Sequence, residues 1–75
     1  MSYILYIVGI TPSSNPRRDL RELQDKGFRY AYITTYDGEP IIQLGSFTLL
    51  DNATVYQDEL KVKGFEAFIK TRIMA

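Results

Sequence analysis

Apolar residues in this chain fall into four short runs and two spaced stretches. Tyr3-Ile4-Leu5-Tyr6-Ile7-Val8 is a β-branched and aromatic run closed by Gly9, which predicts a strand over 3–9. A loop follows at Thr11-Pro12-Ser13-Ser14-Asn15. Asn15 then begins a helix, because its side chain can accept from a free backbone N–H and Pro16 loses nothing at the first helical position. Leu20 and Leu23 fall on one helical face with charges elsewhere, and Gly27 supplies the stop after Lys26. Residues 28–35 read as a second strand. Tyr36-Asp37-Gly38-Glu39 reads as a hairpin turn, since Asp-Gly suits the two left-handed positions of a type I′ turn. Residues 40–45 form the third strand, with Pro40 at its first position where no ladder donor is lost. Asp51 is placed to cap a second helix over 52–63, in which Ala53, Tyr56 or Gln57, and Leu60 recur at helical spacing. Gly64 ends that helix, and residues 65–71 form a fourth strand.

The order β-α-β-β-α-β carries an internal repeat. Val8-Gly9 matches Leu44-Gly45, and Leu23, Lys26-Gly27-Phe28 and Thr34 match Leu60, Lys63-Gly64-Phe65 and Thr71, with one residue gained or lost between. Each half is a strand-helix-strand unit, about 3–35 and 40–71. Two such units give an α+β domain spanning 1–75: a split βαβ, ferredoxin-like, four-stranded antiparallel sheet with two helices on one face.

Strand alternation then sorts the side chains. Tyr6, Val8, Ile42 and Leu44 face the helices, as do Phe65, Ala67 and Ile69. Leu5, Ile7, Ile41 and Gln43 face the other way, with Glu66, Phe68 and Lys70. The repeat puts Arg29, Ala31 and Ile33 on that open side too, and turns Tyr30 and Tyr32 toward the helices. The first strand does not alternate cleanly, and a slip of one residue would exchange its faces. The centre of the open face, in strands 1 and 3, is unusually apolar for a surface meant for water, which suggests that a partner covers it.

Composition narrows the chemistry. Nine Lys+Arg balance nine Asp+Glu, and there is no His or Cys. This removes Ser-His-Asp triads, thiol nucleophiles and ordinary zinc sites, so no metal or other cofactor is expected. A neutral chain lacks the basic face that displaces counterions from nucleic acid, and the third strand offers no aromatic on which a base could stack. Asp19 and Glu22 share a helix face, but Arg18 and Arg21 intersperse with them, as on a solvated surface. Binding rather than catalysis is expected. The apolar start is far shorter than the ~20 residues that span a bilayer and has no basic n-region, so membrane insertion is not expected. A native Met1 implies a cytoplasmic or virion location, and an excised domain implies the cell envelope.

The run Ile42-Gln43-Leu44-Gly45-Ser46-Phe47, followed by Asn52-Ala53, Leu60 and Lys63-Gly64-Phe65-Glu66-Ala67-Phe68, resembles the SPOR (sporulation-related repeat) domain. The likeness covers 42–69 closely and 6–34 faintly. It implies a β-α-β-β-α-β domain that is not an enzyme and that binds peptidoglycan glycan strands, stripped of their peptides, through the open sheet face. Gln43 stands where the family has its motif Gln. The first half departs from the pattern, with Gly9-Ile10-Thr11 in place of Gly-Ser-Phe. The expected binding face is Leu5, Ile7, Arg29, Ile33, Ile41, Gln43 and Phe68. The alternative partner is protein, either a homo-oligomer or a larger assembly such as a virion, meeting the same apolar face.

Overall fold

The computed structural model describes residues 2–75. Its elements are β1 (Tyr3–Ile10), α1 (Pro16–Asp25), β2 (Tyr32–Tyr36), β3 (Glu39–Phe47), α2 (Leu50–Val62) and β4 (Phe68–Met74). The strands form one antiparallel sheet in the order β2-β3-β1-β4, an α+β fold of ferredoxin-like topology with β1 and β3 central. α1 packs against β2, while α2 lies on β1, β3 and β4. Between helices and sheet, Val8, Leu23, Ile42, Ala53 and Leu60 are wholly buried.

Local chemistry sets the element ends. The Asn15 side chain accepts from the Arg18 amide at 3.2 Å, with Pro16 at the first helical position. Both helices end alike. The Gly27 and Phe28 amides donate to the Gln24 and Leu23 carbonyls, and Gly64 and Phe65 do the same to Lys61 and Leu60. This is the Schellman arrangement, which needs a left-handed residue after the cap, met at φ 105° by Gly27 and φ 94° by Gly64. The two Lys-Gly-Phe segments also meet. The Phe28 and Phe65 rings pack edge to face at 5.6 Å, Lys26 lies 4.9 Å from the Phe65 ring centre, and Lys63 lies 5.3 Å from that of Phe28.

The hairpin turn takes left-handed angles at Asp37 (φ 51°) and Gly38 (φ 80°), as a type I′ turn requires. α2 starts earlier than its sequence suggests. Leu49 occupies the cap position without a side-chain bond, and Asp51 sits inside the first turn, where its charge faces the positive end of the helix dipole.

Strand boundaries differ from the sequence reading as well, and one difference changes the faces. β2 begins at Tyr32, because residues 28–31 turn back with the Ala31 amide donating to the Phe28 carbonyl at 3.2 Å. β3 continues through Phe47, and β4 begins at Phe68. Phe65 and Ala67 still pack into the helix-side core, and Gln57 Nε2 donates to the Ala67 carbonyl at 2.8 Å. A bulge divides β1 and β3: Val8 pairs with Gly45 and Gly9 with Gln43, so Leu44 is the extra residue.

Candidate functional site

The sheet face away from the helices is built by alternation from all four strands. Leu5, Ile7 and Gly9 come from β1, Ile41 and Gln43 from β3, and Phe68, Lys70 and Arg72 from β4. Tyr32, Thr34 and Tyr36 come from β2, since Tyr32 pairs with Gln43 and Thr34 with Ile41. Five of the expected site residues therefore share this face: Leu5, Ile7, Ile41, Gln43 and Phe68. Ile33 does not, because it pairs with Ile42 and takes the helix side. Arg29 does not either, lying exposed in the turn before β2. The repeat alignment put β2 one residue out of phase. The turn at 28–31 breaks the alternation, so Tyr32 stands on the open side, Ala31 enters the core, and Tyr30 is left 92% exposed in the turn.

No helix covers the open face, yet its centre is not exposed. Ile7 is 1% exposed, Ile41 3% and Gln43 8%. Side chains of the two edge strands meet across it. The Tyr36 hydroxyl of β2 donates to the Thr71 carbonyl of β4, and Arg72 Nη2 reaches the Thr35 carbonyl at a long 3.5 Å. The Tyr36 ring centre lies 5.0 Å from the Lys70 ammonium and 5.8 Å from the Arg72 guanidinium. Lys70 is shared with the Phe68 ring, 5.1 Å away on its other contact. Tyr36 stands at the hairpin end of β2 and Thr71 in the middle of β4, so the hairpin leans across the face.

Gly9 makes room for this arrangement. A Cβ there would stand 2.9 Å from the Ile42 carbonyl oxygen and 3.1 Å from the Phe68 ring, which lies over the glycine.

At the hairpin end the face opens into a cleft of about 400 Å³. Tyr36, Asp37 and Glu39 form one wall, Phe68 and Lys70 another, and Thr11, Pro12 and Ser13 a third, with Ile41 between them. Asp19 holds the third wall, its Oδ2 accepting from the Ser13 amide at 2.6 Å and the Ser13 hydroxyl at 2.8 Å. The side-chain and then the backbone bond from Ser13, with the nearby Arg18 charge, hold the Asp19 carboxyl below its usual 3.8.

Among the described residues Gln43 is the one buried polar side chain, and its Oε1 has no hydrogen-bond partner. An orphaned buried acceptor costs about 1–3 kcal/mol relative to a satisfied one. Its immediate neighbours on the face are Gly9 and Tyr32, neither of which supplies a donor to it. Tyr36 and Arg72 were missed by sequence reasoning. Tyr36 reads only as part of the turn until the phase of β2 is known, after which Tyr32, Thr34 and Tyr36 line up on one side.

The face thus offers ring faces, two cations and an unsatisfied amide acceptor. Among the described residues no group of three His, Cys, Asp or Glu side chains converges as metal ligands would. No family model, curated protein or solved structure matches the chain.

Proposed function

We propose that this domain is a non-catalytic binding module that holds a glycan strand of the peptidoglycan type along the open face of its sheet. One observation carries the reading: a nine-tenths-buried Gln43 whose Oε1 accepts nothing. Retaining such a group lowers stability unless a donor arrives, and a sugar hydroxyl is a donor of the right size. The Tyr and Phe rings beside it offer flat apolar surfaces of the kind that sugar rings stack on. The resemblance of residues 42–47 to the SPOR strand, with Gln43 at the motif Gln, points the same way.

The protein-assembly reading drew on a free apolar face. Ile7 and Ile41 are covered within the single chain, as Gln43 is, so burial favours neither reading, and the unpaired Gln43 acceptor is what favours the glycan.

Sedimentation with cell-wall sacculi, intact or stripped of peptides by an amidase, tests the proposal. The protein is expected to pellet with the stripped sacculi and to remain monomeric in their absence. A protein that stays in the supernatant with both, and forms dimers or larger species, would be an assembly subunit instead.

A further inference from the structure

The proposed site is shut in the structure described above. Gln43 is 8% exposed and its Oε1 is fully buried, so a ligand reaches that oxygen only once something over the face moves. We propose that the end of the β2–β3 hairpin is a self-covering strap, latched by Tyr36 onto β4, that must lift before a glycan enters. This rests on the reading of the open face as a glycan site.

Three observations single out this element. First, its contacts with β4 are few and lie at the side-chain tips: the Tyr36 hydroxyl on the Thr71 carbonyl, the ring between Lys70 and Arg72, and the long Arg72 contact to Thr35. Contacts of this kind are individually weak and can be released without unpairing the sheet. Second, β2 is a five-residue edge strand paired only with β3, and its Tyr32 and Ile33 are exposed. Short, thinly packed edges lie at the low-stability end of a fold. Third, Tyr36, Asp37 and Glu39 line one cleft with Ile41, Phe68 and Lys70, so lifting the strap widens that cleft along β3 toward Gln43 while the helix-side core stays closed.

The latch sets a threshold. A ligand that binds only the lifted form has its apparent affinity reduced by the fraction of molecules lifted, so weakening the latch strengthens binding. Tyr36→Phe keeps the ring and deletes the hydroxyl. Arg72→Met keeps the stem and deletes the cation.

Both variants are compared with the wild-type protein in two assays. The first uses no glycan: amide hydrogen exchange over 32–36 and Nile red fluorescence. The second is sedimentation with amidase-stripped sacculi. In both variants, exchange in β2 and dye binding are expected to rise while exchange in β1 holds. Tyr36→Phe is expected to bind stripped sacculi about five-fold more tightly, the factor that one ordinary hydrogen bond is worth.

If the wild-type protein binds sacculi and Tyr36→Phe binds equally or less well, Tyr36 is a wall of the site and the strap is wrong. If no form binds sacculi, the glycan reading fails. The exchange and dye assay then decides the strap alone, and unchanged values overturn it. Arg72→Met gives the same reading through a second group, should Tyr36→Phe fold poorly.

Discussion

The Tyr36 hydroxyl donates to the Thr71 carbonyl, joining the two edge strands of a four-stranded sheet across the face that no helix covers. Ile7 and Ile41 are buried on the same open side. A neutral side-chain hydrogen bond contributes about 0.5–1.5 kcal/mol, and this one is exposed, which places it at the low end. Tyr36→Phe should therefore lower the thermal midpoint by a few degrees, at about 4–8 °C per kcal/mol for a domain of this size. Differential scanning calorimetry checks this, and an unchanged midpoint would mean that the link contributes nothing.

Phe28 and Phe65, equivalent positions in the two halves, meet edge to face, each ring facing the lysine of the other segment. A double-mutant cycle with Phe28→Leu and Phe65→Leu should show a coupling of about 0.5–1.5 kcal/mol. Additive losses would mean that each ring is held by the core alone.

Asp19 makes the loop beside the cleft sensitive to acid. Its carboxyl is held below the ordinary 3.8, first by the Ser13 hydroxyl and then by the Ser13 amide. The folded pKa is lower than the unfolded one, so the contribution is complete above the unfolded value. It fades as pH falls through the folded value. Wild-type and Asp19→Asn proteins should therefore differ in urea stability at neutral pH and converge as pH falls below the ordinary 3.8 of an aspartate. A gap that stays constant as pH falls would show that the carboxylate charge is not what holds the loop.

How much of this was legible beforehand depended on whether a residue acts locally. Asn15-Pro16, Asp37-Gly38 and the two Lys-Gly-Phe stops act through their own backbone angles and neighbouring amides, and the structure has each doing so. The faces of β1 and β3 followed from matching the two halves, which put Leu5, Ile7, Ile41 and Gln43 together. The phase of β2 did not follow, because the turn at 28–31 spends residues that the repeat had assigned to the strand. Arg29 and Ile33 left the site for that reason. The Tyr36 link to β4 was hidden for a different one. It depends on the hairpin reaching a strand that lies 35 residues further along the chain, and nothing local to Tyr36 encodes that reach.

If the open face is kept for a ligand, Gln43 is the residue that shows it most directly. Gln43→Met preserves the unbranched shape and deletes the orphaned acceptor. If the amide serves a ligand rather than the fold, the variant should be more stable by about 1–3 kcal/mol, the penalty of an unmet buried acceptor. It should also fail to pellet with amidase-stripped sacculi under conditions where the wild-type protein does. A Gln43→Met protein that loses stability, or that binds stripped sacculi as well as the wild type, would mean that the amide is not kept for a ligand.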